Sequence, residues 1–160
     1  MRGDTITVQI RNFTSPYNVV ETVNSFVNSN GEVLLTFLTV TQSVNYYIAV
    51  KHRNSIETWS SGAIQFSSNS SYDFTSGTAQ AYGNNQKQID TSPPEYGIYS
   101  GDVNQNGVID GTDVSLIDND AFNFETGYIN TDLNNTLTVD ASDLAIVDNN
   151  AYNFVSVQRP

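Results

Sequence analysis

Oxygen-bearing side chains recur at one spacing in two stretches of this chain, and their chemistry suits a hard cation. The first stretch carries Asp102, Asn104, Asn106, Asp110 and Asp113 at its positions 1, 3, 5, 9 and 12. The second, 30 residues on, carries Asp132, Asn134, Thr136, Asp140 and Asp143 at the same positions. A twelve-residue loop so spaced can wrap its oxygens around one Ca²⁺, with a backbone carbonyl from position 7. Three carboxylates in one loop repel one another without a cation, so a metal bound there stabilises the fold.

The elements that must position these residues are short helices. Residues 102–124 and 132–154 align at the fixed offset with nine identities in 23 positions, the last at Phe124 and Phe154. After each loop comes an apolar stretch at helical spacing, Val114, Leu116 and Ile117 in one copy and Leu144, Ile146 and Val147 in the other. Asp113 and Asp143 fall near the helix starts, where a carboxylate favours the positive end of the dipole. A single loop–helix cannot bury its apolar face, so the spacing predicts two copies packed with pseudo-twofold symmetry.

The chain before residue 90 reads as about eight short strands. Residues 5–10 alternate polar and apolar side chains with period two. Asn30-Gly31 predicts a hairpin turn joining residues 19–27 to 33–40. Residues 44–50, continuing towards Arg53, place Val44, Tyr46, Ile48 and Val50 on one face, taken as the core face. Residues 56–59, 63–66, 72–74 and 79–82 complete the set, with Ser, Asn, Gly and Thr between them as turn residues. The fold class expected is therefore mainly β with a small α part, an Ig-like or transthyretin-like β-sandwich followed by the duplicated calcium loop–helix pair. The expected domains are 1–89 for the sandwich, 90–99 for a Pro-containing linker and 100–160 for the calcium-binding part with its tail.

Charge and composition exclude several functions. The formal net charge is −11. Residues 1–99 hold seven acids and five bases, whereas 100–160 hold ten acids and one base, Arg159. Nucleic acid and a membrane surface are therefore not expected partners. No apolar run is long enough to span a bilayer. Cysteine is absent, which removes disulfides and thiolate metal sites. Met1-Arg2-Gly3-Asp4 does not open a signal peptide, so a mature form or a fragment is expected. No paired His and Asp surround a nucleophile and no phosphate-cradling loop occurs, so no enzyme is expected.

The second half resembles the type I dockerin repeat. Gly101-Asp102-Val103-Asn104-Gln105-Asn106-Gly107 is similar to that family's opening, and Asp in place of Glu at position 12 also agrees. The resemblance covers roughly residues 100–154. It implies two Ca²⁺ sites. Loop 1 would ligate through Asp102, Asn104, Asn106, Asp110, Asp113 and the carbonyl of Val108. Loop 2 would use Asp132, Asn134, Thr136, Asp140, Asp143 and the carbonyl of Thr138. Loop 2 departs from the pattern at Thr136 and at Leu137, which replaces the turning glycine, so the weaker site is expected there. Residues 46–59 resemble a strand–turn–strand segment of modules that precede such repeats in secreted Bacteroidetes-type proteins. This implies a bacterial, extracellular or cell-surface setting.

These features predict a non-catalytic structural or assembly module, such as a fibre or surface subunit that associates with itself. Its first strand, residues 5–10, lacks the lysines that guard sheet edges, and the tail from Phe154 offers a further apolar segment. One alternative is a dockerin that binds a cohesin-like module through Gly111-Thr112 and Ala141-Ser142 and anchors a carbohydrate-active enzyme. Another is an accessory glycan-binding module with Glu57 and Trp59 as its platform. Lys51-His52-Arg53 is expected to be a strand-end surface cluster. Arg2-Gly3-Asp4 matches an adhesion tripeptide by chance or as a remnant. Asn12, Asn69 and Asn134 open N-glycosylation patterns, and Asp4-Thr5 and Asp90-Thr91 resemble O-glycosylation sites, which makes the chain a candidate glycoprotein.

Overall fold

Period-two alternation at the start of the chain builds β1 (Asp4–Asn12), which puts Val8 and Ile10 into a core. The computed structural model describes residues 4–160 and is mainly β with two short helices. A five-stranded antiparallel sheet orders β2 (Val19–Val27), β1, β3 (Asn45–His52) and β4 (Ser55–Trp59), with β5 (Ile64–Gln65) added to β3. A second, two-stranded sheet pairs β6 (Lys87–Thr91) with β7 (Pro94–Gly97). The helices are α1 (Gly111–Phe122) and α2 (Ala141–Tyr152). Neither is long and apolar enough to cross a membrane.

The chain divides into two compact units. The first holds the chain up to His52, Glu57–Gly97 and Gln158–Pro160; the second holds Arg53–Ile56 and Ile98–Val157. In the first unit, Val8, Ile10, Tyr46 and Ile48 form the buried core, and Leu35, Phe37, Val40, Phe66, Tyr72 and Phe74 pack against it. Tyr46, Ile48 and Val50 thus share the face their spacing predicts, while Val44 is exposed. On the opposite face Tyr47 and Trp59 meet edge-on with Tyr17, and the Arg11 guanidinium lies 5.1 Å from the centre of the Trp59 ring. The buried Glu57 accepts from Lys51 Nζ (2.8 Å), Arg159 Nε (3.0 Å) and Trp59 Nε1 (2.5 Å). Burial raises its pKa, but these donors outweigh that and hold its carboxyl below the usual glutamate value.

Four expectations are corrected. First, β1 is no edge strand: it lies between β2 and β3, paired along its length with both. Second, β2 pairs with β1, and residues 33–40 form no ladder. The turn there is wider than Asn30-Gly31 alone: Asn28 Oδ1 accepts from Asn30 N and Glu32 N. The Glu21 carboxylate takes the N–H groups of Leu38 and Thr39, which side-chain capture withdraws from a ladder. Third, the segment read as a linker is the β6–β7 hairpin, with Ser92-Pro93 at its turn. Pro94 is tolerated as the first residue of β7, where a missing N–H costs no ladder bond. Fourth, residues 72–74 and 79–82 are not strands; 3₁₀ turns occupy Thr78–Gln80 and Tyr82–Asn84. Arg2 and Gly3 of the adhesion tripeptide lie outside the described residues.

Candidate metal centre

The second unit is built from two loop–helix copies whose equivalence extends past the helices. Its core joins Val103, Ile109, Ile117, Val139, Val147 and Val155 with Ile56, and Leu133, Val114 and Leu144 pack against it. Ile117 and Val147, equivalent at the offset of 30, are both fully buried, whereas Leu116, one step round the helix, is 41% exposed. Each loop pairs with the segment that leaves the other copy's helix. Val139 N donates to Glu125 O (3.0 Å) and Ile109 N to Val155 O (2.9 Å). Gly127 N donates to Leu137 O (2.9 Å), and Val157 N to Gly107 O (2.8 Å). The tail from Phe154 is thus part of the repeat, with Val155 buried in this core and Val157 against Gly107.

Both helices begin with the same device. Asp110 caps α1 by accepting from Thr112 N (2.8 Å), and Asp113 reaches back to Asp110 N (3.1 Å). Asp140 and Asp143 repeat this at α2, with Ser142 N at 2.7 Å and Asp140 N at 3.0 Å. These are capping boxes with aspartate as the reciprocal residue. The other oxygen of Asp113 accepts from Val103 N (3.0 Å) and Asn104 N (3.3 Å). Asp143 does the same with Leu133 N (2.8 Å) and Asn134 N (3.2 Å). Positions 9 and 12 therefore tie each loop's beginning to its helix. Contacts with the serine hydroxyl and amide of Ser142 hold the Asp140 carboxyl below its usual range.

The loops differ at position 1. Asp132 is fully buried, and both its oxygens are satisfied, by Thr136 N (3.0 Å) and Leu137 N (2.9 Å). Asp102 is 2% exposed; its Oδ2 accepts from Gly107 N (3.1 Å), but Oδ1 is buried without any hydrogen-bond partner. Burial pushes the Asp102 carboxyl above the usual aspartate value, and the nearby Asp113 charge adds to this. A buried carboxylate oxygen with no donor is costly unless a cation or water meets it. Asn104 Oδ1 accepts from Asn106 N (2.9 Å) and Asn106 Oδ1 from Val108 N (2.8 Å), so the loop folds through successive Asx turns.

In loop 2 the donors are more committed to one another. Thr136 Oγ1 donates to the Thr138 carbonyl (3.2 Å), Asn134 Nδ2 to Ser142 Oγ (2.7 Å), and Ser142 Oγ to Asp140. Among the described residues no three His, Cys, Asp or Glu side chains converge as a metal cluster. The predicted sets mix carboxylates with amides, a hydroxyl and carbonyls, and their carboxylates turn partly onto the loops' own N–H groups. Loop 1 still fits a Ca²⁺ ion, whose preference is for such oxygens and whose charge answers the unmet Asp102 Oδ1. Loop 2 supplies the same residue types but no unmet oxygen.

No family model, curated protein or solved structure matches the chain. The reading of the loops therefore rests on their own geometry. Gly107 and Leu137 occupy equivalent positions at φ +89° and +67°. The left-handed region costs a residue with a Cβ about 1–2 kcal/mol, against about 0.4–1 kcal/mol of extra unfolded-state freedom for glycine. Leu137→Gly is accordingly expected to stabilise the second unit by about 0.5–1 kcal/mol and to tighten loop 2 for calcium. Thermal denaturation with and without calcium measures both; a less stable variant would mean that Leu137 contributes packing that outweighs its strain.

Sequence reasoning missed the clamp on these loops. Arg53 donates to the carbonyls of Ile129 and Asp132 and lies 4.5 Å from the centre of the Tyr128 ring. The buried Asn54 donates Nδ2 to Asp132 O (3.0 Å) and accepts from Gly101 N (2.7 Å) on its own carbonyl. The basic run expected at a strand end instead serves three partners: Lys51 pairs with Glu57, His52 with Asp4, and Arg53 with loop 2. Trp59 is 2% exposed and shows no face on which a sugar ring stacks. Asn12, Asn69 and Thr5 are exposed.

Proposed function

We propose that the chain is a non-catalytic structural module of an extracellular or cell-surface protein, a β-sandwich joined to a helical unit fastened by calcium. The unmet, buried Asp102 Oδ1 carries this reading, because it has no hydrogen-bond partner while burial works against its charge. The carboxylates stand at caps and turns that tie each loop to its own helix, an arrangement suited to stabilising a fold. Asp102, Asn104, Asn106, Asp110, Asp113 and the Val108 carbonyl would hold the first ion; the loop 2 equivalents would hold a second, weaker one. Bound calcium supplies positive charge that offsets carboxylate repulsion, and binding to a site absent from the unfolded chain stabilises the folded one.

Calorimetric titration of the intact chain tests this. Saturable uptake of calcium with unequal affinities, together with a rise in unfolding temperature, is expected. No uptake at millimolar calcium overturns the reading.

A second reading, docking to another protein such as a cohesin-like module, is favoured by four aromatic side chains. Phe122, Phe124, Tyr152 and Phe154 are each more than four-fifths exposed and occupy equivalent places at and just beyond the ends of the two helices. Large exposed aromatics are typical of contact surfaces.

A further inference from the structure

Residues 33–37 run without turn or bend up to a bend at Leu38 and alternate between half-buried and exposed positions, yet they join no sheet. Leu35 and Phe37 pack on the core of the first unit, while Leu34 is 93% exposed, Leu38 is 86% exposed, and Thr36 between them is exposed too. The segment is held at both ends. Asn28 N donates to Glu32 O (3.0 Å) before it, and Glu21 captures the N–H groups of Leu38 and Thr39 after it. Among the described residues, no hydrogen bond engages the backbone of residues 33–37. A row of unpaired N–H and C=O groups on an extended segment is a template for another strand.

The sequence of the segment identifies what pairs with it. Leu34-Leu35-Thr36-Phe37-Leu38 is nearly palindromic about Thr36, with an outer row of Leu, Thr, Leu and an inner row of Leu and Phe. An antiparallel copy centred on Thr36 sets Leu34 opposite Leu38 of the second copy and Thr36 opposite its twin. Leu35 and Phe37 then exchange backbone hydrogen bonds with Phe37 and Leu35 of the second copy, and Leu38 keeps its N–H on Glu21.

Charge agrees. A net charge of −11 opposes self-association, but no charged residue occurs between Glu32 and Lys51. In this register Glu32 faces Val40 of the second copy, so no like charges meet. Residues 33–41 also lack Pro and Gly, which favours strand pairing between identical segments.

We propose that residues 33–38 pair antiparallel with the same residues of a second copy, giving a twofold dimer with a sheet edge shared through Thr36. This adds self-association to the structural-module reading above and does not rest on calcium. The isologous geometry closes on itself, so this contact alone makes pairs; a fibre requires a second contact.

The test uses the intact chain, in calcium and in a chelator. Sedimentation should show a concentration-dependent dimer. Thr36→Lys and Thr36→Glu each put like charges on the twofold axis and should weaken it by about tenfold or more, while a mixture of the two variants restores it. Thr36 is exposed, and circular dichroism confirms that the variants fold. The cysteine-free chain allows a geometric check as well. Thr36→Cys should form a disulfide-linked dimer on oxidation, because facing residues of a non-hydrogen-bonded pair lie about 4.5 Å apart at Cα. A strict monomer, or a dimer untouched by Thr36→Lys, overturns the proposal. Calcium uptake by such a monomer leaves the calcium reading standing, and a dimer that takes up no calcium separates the two in the other direction.

Discussion

Asp102→Asn is expected to reverse its effect on stability with calcium. In saturating calcium the variant should be less stable than the parent chain by about 2.7 kcal/mol at an ion concentration a hundredfold above the site's Kd, the stabilisation that one lost site removes. In a chelator it should be as stable or more stable. The substituted side chain keeps an oxygen for Gly107 N, which donates to Asp102 Oδ2, and replaces the unmet Oδ1 by an amide nitrogen without charge. Removing the charge of a buried carboxylate with one unmet oxygen relieves the penalty its burial imposes.

Asp132→Asn should behave differently, because both oxygens of Asp132 accept backbone N–H groups. One acceptor becomes a donor facing another donor, so this variant should lose about 1–3 kcal/mol even without calcium. Denaturation of the two variants in calcium and in chelator, with calorimetric stoichiometry, separates these outcomes. Equal loss for Asp102→Asn in both buffers would make loop 1 a capped turn with no metal.

The loops were legible in the sequence because their interactions are local. Asx turns, the capping boxes and the left-handed Leu137 all join residues within twelve positions of one another, and duplication doubled the signal. The helices follow from the same spacing, except that Leu116 and its equivalent Ile146 do not join the core. Strands 5–10 and 44–50 were legible from period two, which reports which face is buried but not which strand lies alongside. The order β2-β1-β3-β4 depends on partners far apart in sequence, so residues 5–10 read equally well as an edge. Residues 33–40 have strand composition, yet no strand lies beside 33–37, and the Glu21 side chain, 17 residues before Leu38, takes the N–H groups of Leu38 and Thr39. Pro93 and Pro94 suggested a linker because their missing N–H groups argue against a central strand and are silent about a two-stranded hairpin.

Nothing in the calcium-loop pattern pointed to Asn54, which lies 78 residues before Asp132. Asn54→Ala is expected to destabilise the second unit by about 1–3 kcal/mol, and Arg53→Ala combined with it by more than either alone. The side chain is 1% exposed and fills space as well as donating, so truncation loses a bond and leaves a void.

The two loops should feel the change unequally. Gly101 ahead of loop 1 is held by the Asn54 backbone carbonyl, which alanine retains. Asp132 in loop 2 is held through the side chain, with Arg53 Nη2 at 3.2 Å as its second donor. Asn54→Ala should therefore lower calcium affinity at loop 2 while loop 1 changes little, and adding Arg53→Ala should free Asp132 and widen the difference. Two-site titration of the single and double variants measures this directly. Equal weakening of both loops would mean that the Arg53–Ile56 turn supports the unit as a whole, without a specific hold on the first ligand position of loop 2.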